Sequence, residues 1–219
     1  MRTQLRRFGK IVGGENAQEG EFPWLVTLGQ HDLTQSSPTK YEVSVESITT
    51  HPEYVCRKVK NDLAILKLDS DLQWSEFARP ACLPASSGAN GYTNFANVLA
   101  TVAGWGWTNE DSQKGSRANV LQKAKVNILE TEKCREWYKS QGKKGKIQET
   151  QMCAGYETGG VDSCWADSGG PLMVASGAGD QLMVVGVVST GIGCARPFLP
   201  GLYTRVSEYI PWIQSVIKG

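Results

Sequence analysis

The sequence predicts an all-β fold, a barrel or a sandwich, on three observations. Short alternating or continuous apolar runs recur along the chain, Gly, Pro, Asn and Ser separate them, and helical periodicity is confined to two stretches. Tyr41-Glu42-Val43-Ser44-Val45 alternates with period two, as a half-buried strand does. Leu63 to Leu68 is more continuously apolar and predicts a buried strand, and Ala124-Lys125-Val126-Asn127-Ile128 alternates again. A helix is predicted after Thr131, whose hydroxyl suits an N-cap; Glu132 falls in the first turn and Trp137 and Tyr138 on the body. Val184 to Val188 predicts a second buried strand within Leu182 to Val188, the longest apolar run. From about Ser207 to the end, Trp212, Ile213, Val216 and Ile217 fall on one stripe of a terminal helix.

Composition narrows the function classes. The 219 residues carry 23 Lys+Arg against 22 Asp+Glu, a net charge of +1, which gives no field for gathering nucleic acid or anionic lipid. Four of the positive charges lie in the first ten residues, so the other 209 residues carry a net −3. Leu182 to Val188 is seven residues long, where a spanning helix needs about 20. The length suits one large all-β domain or two small ones, and no repeat or linker divides it. The lysines between Lys139 and Lys146 read as a solvated basic loop.

Six cysteines, at positions 56, 82, 134, 153, 164 and 194, lack paired CxxC spacing, so disulfides are preferred to a zinc site. No metal or cofactor is expected; the loop from Gly29 to Tyr41 has too few acids for calcium. Disulfides imply an oxidising compartment, yet Met1 to Lys10 has no apolar stretch and is not a secretory leader. The expectation is a true start upstream, or a partial product.

The chemistry concentrates in Asp162 to Leu172, DSCWADSGGPL. A serine nucleophile needs its hydroxyl on a tight turn beside backbone N–H donors, and Asp167-Ser168-Gly169-Gly170-Pro171 places small residues around one serine. Alone, such a segment also reads as a surface turn. Other segments agree with the sharper reading: Ile11-Val12-Gly13-Gly14 followed by Phe22-Pro23-Trp24, Asn61-Asp62-Leu63-Ala64-Ile65-Leu66, Gly104-Trp105-Gly106, and Gly191, Gly193, Cys194, Pro200-Gly201 and Tyr203. In that order, from Ile11 to Gly219, they resemble the trypsin-like members of the chymotrypsin family of serine endopeptidases.

The resemblance implies a fold of two β-barrels with a C-terminal helix, and roles for particular residues. Ser168 is the nucleophile and Asp62 the carboxylate that orients the base; the N–H groups of Ser168 and Ala166 form the oxyanion hole. Asp162 lies at the floor of the substrate pocket, where a buried carboxylate favours Arg or Lys before the scissile bond. Ser189, Gly191 and Gly201 line the substrate-binding walls, and the two glycines keep the pocket open. Lys10-Ile11 resembles an activation bond, so the uncut chain is a zymogen and the amino group freed at Ile11 pairs with Asp167. Cys134 with Cys153 and Cys164 with Cys194 match family bridges; Cys56 and Cys82 have no assigned partner. Residues 1–10 are then the remnant of an activation peptide and 11–219 the peptidase domain. Expected partners are protein or peptide substrates and protease inhibitors, with neither nucleic acid nor membrane, for an extracellular monomer.

The chain departs from the family where the catalytic histidine belongs. Pro23-Trp24-Leu25-Val26-Thr27-Leu28 runs straight into Gly29-Gln30-His31-Asp32-Leu33, and the histidine segment, with at least one strand of the first barrel, is missing near residues 28–29. The first barrel is therefore expected truncated. The two histidines present, His31 and His51, fall in segments that the family uses for other purposes. Ala166 replaces the usual oxyanion-hole glycine, Thr190 an aromatic pocket wall, and Ala100 with Val174 a disulfide pair. The resemblance thus implies either a peptidase inactive in this form or a pseudoprotease with a binding or regulatory role.

Overall fold

A computed structural model describes residues 11–19, 21–22, 31–35, 43–87, 94–176 and 181–218. Among the described residues there are nine strands: β1 (Glu15–Asn16), β2 (Val45–Thr50), β3 (Ala64–Leu68), β4 (Leu99–Gly104), β5 (Gln122–Leu129), β6 (Gln151–Gly155), β7 (Pro171–Ala175), β8 (Leu182–Thr190) and β9 (Gly201–Arg205). Two helices, α1 (Thr131–Ser140) and α2 (Ile210–Lys218), complete the described elements.

Strands β4 to β9 close a six-stranded antiparallel barrel in the order β5-β4-β7-β8-β9-β6, with β6 returning to pair with β5 and β1 added outside β5. The alternation read in β5 is the reason this strand faces two ways: Ala124, Val126 and Ile128 are buried in the barrel core, while Lys125 points to solvent. Leu172, Val185, Val188, Met152 and Tyr203 fill the same core from other strands. Ala100 and Val174, read from the resemblance as standing in place of a disulfide, are buried in the same core as apolar residues.

The N-terminal half is different. Between β1 and β4 the described residues supply only the antiparallel strand pair β2–β3, with Ile48 opposite Leu66 and Thr50 opposite Ala64. All six residues of β2 are exposed, as are Ala64, Leu66 and Lys67 of β3. Leu63 to Leu68 was expected to be buried; it forms a strand, but Ile48 is 64% and Leu66 44% exposed. The physical reason is that burial needs a second layer, which the described residues do not supply, and a two-stranded ribbon alone is marginally stable.

Three boundaries differ from expectation. The strand predicted over Tyr41 to Val45 begins at Val45; Val43 and Ser44 are outside it, and residues 41–42 lie outside the described set. Thr131 is the first residue of α1, not its cap: Glu130 takes that position without a side-chain cap bond. The terminal helix opens with a 3₁₀ turn over Val206–Tyr209 before α2. Pro211 is tolerated in the first turn of α2 because the N–H it lacks would have no helical acceptor there. The basic loop after α1 is solvated, every residue from Gln141 to Lys146 being exposed. Cys134–Cys153 joins α1 to β6 and Cys164–Cys194 joins the serine turn to the segment after β8, with Cα atoms 6.3 and 5.2 Å apart. Cys56 and Cys82 are free and exposed.

Candidate active site

The turn that carries Ser168 is organised around a buried carboxylate. Asp167 is 3% exposed, and its two oxygens accept the N–H groups of Gly106 (2.8 Å) and Cys164 (2.9 Å). Burial pushes its pKa up to about 6, against the lowering effect of those two bonds and of Arg117. A Cβ at Gly104 or Gly106 would fall 2.2 or 2.4 Å from this carboxylate, which explains the two glycines around Trp105. The turn is tied to β8 by Gly169 N–H to Val188 O and Val188 N–H to Gly170 O, both 2.8 Å. Ser168 is left exposed on its outer face.

Ala166 sits in this turn with φ +70°. A side chain in the left-handed region costs about 1–2 kcal/mol, and glycine there recovers part of that after its larger unfolded-state entropy. Ala166→Gly is accordingly expected to stabilise the fold by about 0.5–1 kcal/mol, measured by urea unfolding; a loss of stability would show that the turn does not carry this strain.

Asp62 follows a corner locked from both sides. Asn61 (φ +52°) donates to Glu53 O at 2.9 Å and accepts from Tyr209 Oη at 2.9 Å. Asp62 itself accepts Ser189 Oγ at 2.7 Å through Oδ2, and its carbonyl accepts Thr204 Oγ1 at 2.7 Å. Strands β8 and β9 thus fix the carboxylate at the barrel mouth, with Ser189 as its direct partner. Thr204 escaped the sequence reading because a threonine in a strand carries no distinguishing local signal, and Asn61 enters that reading only as a motif member, without a role of its own.

Asp62 and Ser168 line one cavity of about 1120 Å³, together with Tyr54, Trp74, Trp105 and Ala166. No described histidine bonds to Ser168 or Asp62. His51 packs its ring against Tyr209 (5.3 Å) and Trp212 (4.9 Å) and accepts Glu53 N–H on Nδ1 at 3.2 Å. His31 contributes its carbonyl, which accepts Leu121 N–H (2.9 Å) and Trp105 Nε1–H (3.3 Å), while its Nδ1 is buried without a partner.

Next to the turn lies a second buried acid. Asp162 is 3% exposed; Oδ2 accepts Ala195 N–H at 3.1 Å, and Oδ1 is buried with no hydrogen-bond partner. Burial is the main reason its pKa rises to about 7, opposed by the Ala195 N–H and by the N–H and hydroxyl of Ser163 beside it, with the Asp167 charge adding to the rise. Tyr203 closes the wall, its hydroxyl 3.2 Å from Ser163 Oγ. A Cβ at Gly201 would fall 2.7 Å from Asp162 Oδ1 and 3.2 Å from the Tyr203 ring, so any larger residue would crowd the carboxylate. Gly191 is not required in this way, since a Cβ there meets only Gly193 O at an ordinary 3.5 Å. Ile11 is fully buried in the barrel core, and Val12 O accepts Asp162 N–H at 3.1 Å, which brings this end of the chain beside the acidic turn. Lys10 lies outside the described residues. Among the described residues no group of three or more His, Cys, Asp or Glu could hold a metal, and no described helix is long and apolar enough to cross a membrane.

Comparison with known proteins places this arrangement. The Trypsin family model matches residues 25–213, leaving Ile11 to Trp24 outside the matched range. Over 209 positions and 94% of its length the chain is 36% identical to "Serine protease filzig" of Drosophila melanogaster. It is also 36% identical, over 261 positions and 99% of its length, to "Serine proteinase stubble" of the same fly. The chain spans only 12% of filzig and 32% of stubble, so it corresponds to one part of each. With a closed six-stranded barrel, two buried acids flanking an exposed serine and a family match over most of its length, the chain belongs to the trypsin family of chymotrypsin-like serine proteases.

Proposed function

We propose that this chain is a trypsin-like endopeptidase domain that recognises Arg or Lys before the scissile bond and, in the present form, lacks its general base. The observation that carries the specificity is the unpartnered, buried Oδ1 of Asp162. A lone carboxylate in such a place is costly, and a guanidinium or ammonium entering the pocket would satisfy it.

Ser168, Asp62 and the N–H groups of Ala166 and Ser168 have the family's roles in this reading. The serine hydroxyl attacks the carbonyl carbon, the two N–H groups receive the oxyanion, and the hydroxyl proton must pass to an imidazole held by Asp62. With neither histidine bonded to Ser168 among the described residues, that proton has no acceptor. The match to stubble supports a missing segment, since 261 aligned positions exceed the 219 residues of this chain by 42. The filzig match, at 209 positions, does not carry that surplus.

Cleavage at Lys10-Ile11 then completes the pocket, because a new ammonium at Ile11 gives buried Asp167 a cationic partner. Residues 1–10 are the activation remnant and 11–219 the peptidase domain. The two bridges and the secreted type of the family support an extracellular, monomeric protein that meets polypeptide substrates and inhibitors. One observation favours a binding role for the chain as it stands: the pocket acid is in place while the base is not.

The test is binding of an arylamidine such as p-aminobenzamidine, as a function of pH, to the chain cut behind Lys10. Asp162, with a folded pKa near 7, must be ionised to pair with the cation, so affinity is expected to fall about tenfold per pH unit below that value. The same shift bears on stability without ligand. A carboxyl whose pKa is raised on folding holds its proton more tightly in the native state, so stability falls as pH rises from about 4 to 7 and is level above. Amidine affinity independent of pH between 5 and 8, or absent at pH 8, would overturn the pocket assignment.

A further inference from the structure

Two loops meet at the rim of the Asp162 pocket. Gly193 and Ala195 both lie in the left-handed region, with φ of +75° and +56°. A non-glycine residue persists there only when its surroundings hold it. Part of the hold comes from Gly160, whose N–H donates to Ala195 O at 2.9 Å. Cys194 is also bridged to Cys164, and a further hold comes from Glu110, on the loop that follows Gly104-Trp105-Gly106. Glu110 Oε2 accepts Arg196 Nε–H at 2.8 Å and Cys194 N–H at 3.2 Å, while Oε1 pairs with Arg196 Nη2. The pair packs directly over Gly193, where a Cβ would fall 2.3 Å from Arg196 Nε and 2.6 Å from Glu110 Oε2.

Successive amides of this strained loop therefore point at two different carboxylates. Cys194 N–H is held by Glu110, and the next one, Ala195 N–H, donates to Asp162 at 3.1 Å. The Glu110 loop is in turn anchored beside the serine: Trp107 N–H donates to Trp165 O at 2.8 Å, and Gly106 N–H binds Asp167. Hydrogen bonding to Arg196 holds the Glu110 carboxyl below the usual range, with Cys194 N–H adding to it. An isolated surface ion pair contributes little. This one is forked and also grips a backbone amide, the geometry in which charged hydrogen bonds are strongest.

We propose that Glu110, through Arg196 and the Cys194 amide, is a positioning residue for Asp162: it sets the 193–196 loop so that Ala195 N–H meets the pocket carboxylate. The loop after Gly106 thereby controls the shape of the pocket floor. The consequence for ligands rests on the reading of Asp162 as the cation site; the consequence for the loop does not.

The test follows both in the full chain after cleavage behind Lys10, the form whose pocket is complete in that reading. Hydrogen exchange at the Cys194 and Ala195 amides is compared between the parent, Glu110→Ala, the isosteric Glu110→Gln, and Lys114→Ala. Lys114 is on the same loop, 76% exposed and paired only to Asp111. p-Aminobenzamidine affinity is measured from pH 5 to 8 in each. Glu110→Ala is expected to speed exchange at both amides about tenfold, weaken amidine binding about five- to tenfold and move its pH midpoint upward. Glu110→Gln falls between it and the parent, and Lys114→Ala behaves as the parent. The other groups acting on Asp162, namely Asp167, Ser163, Tyr138 and Tyr203, are untouched in every variant, and losing the Glu110 charge beside a freed Arg196 would by itself lower the midpoint, so an upward move reports the Ala195 bond. Unchanged exchange at 194 and 195 in the Glu110 variants overturns the proposal, and Glu110→Gln decides it if Glu110→Ala does not fold. A parent that binds no amidine at pH 8 refutes the cation reading instead, and exchange still decides the positioning role.

Discussion

Cut behind Lys10 and given an arginine ester, the chain is expected to turn over roughly 10⁶-fold more slowly than a complete Ser-His-Asp enzyme. The size follows from how a triad works: the three groups act as a unit, so losing the base costs nearly as much as losing all of them. A remnant of about 10³–10⁴ over water can survive from the oxyanion hole and binding. Here Ala166 strains that hole, so the remnant should be at the low end. The measurement is titration of Ser168 with an organophosphorus reagent alongside steady-state ester hydrolysis. Stoichiometric labelling with rapid turnover would overturn the inference and point to His31 or His51 as a relocated base, which His→Ala substitutions would then identify. For His51 that would require leaving its packing on Tyr209 and Trp212.

Asp162→Ser is expected to weaken arylamidine binding by about 10²- to 5 × 10³-fold at pH 8, since removing one member of a buried, hydrogen-bonded charge pair costs about 3–5 kcal/mol. A hydroxyl cannot replace the charge, and the Ala195 N–H would lose its anionic acceptor. The same substitution should act in the opposite direction on the empty protein. Above pH 7 the parent carries a buried carboxylate with one unsatisfied oxygen, so the serine variant is expected to unfold at a higher temperature than the parent at pH 8. Near pH 4, where the parent acid is protonated, the difference should vanish. Isothermal titration and thermal melts at the two pH values read both effects. Equal affinity in parent and variant would remove Asp162 from the pocket.

The sequence alone carried the barrel and most of the site, for reasons visible in single residues. Ala124, Val126 and Ile128 alternate with polar neighbours, and a strand has no way to bury them except on one face of a sheet. Gly104, Gly106 and Gly201 were legible as motif members because backbone approaches a carboxylate too closely there for any side chain. Motif order likewise gave both disulfide pairs, the serine turn and the two buried acids.

What only the tertiary structure decided lies wherever the outcome depends on a distant partner. Leu63 to Leu68 reads as buried, yet β3 is largely exposed, because burial belongs to the covering layer and not to the strand. Thr131 has the side chain of a cap, but it is the first residue of α1, and its hydroxyl oxygen accepts Arg205 Nη2 at 3.4 Å from across the barrel. Neither histidine could be placed from its neighbours in sequence; His51 is held by rings on the C-terminal helix, more than 150 residues away. Nor does any local pattern announce Glu110, since its meaning comes from Arg196, 86 residues on, and from an amide that a left-handed turn happens to aim at it. Local sequence fixes what a residue can bond to. Only the closed barrel fixes what it does bond to, because the packing of strands far apart in the chain chooses among those partners.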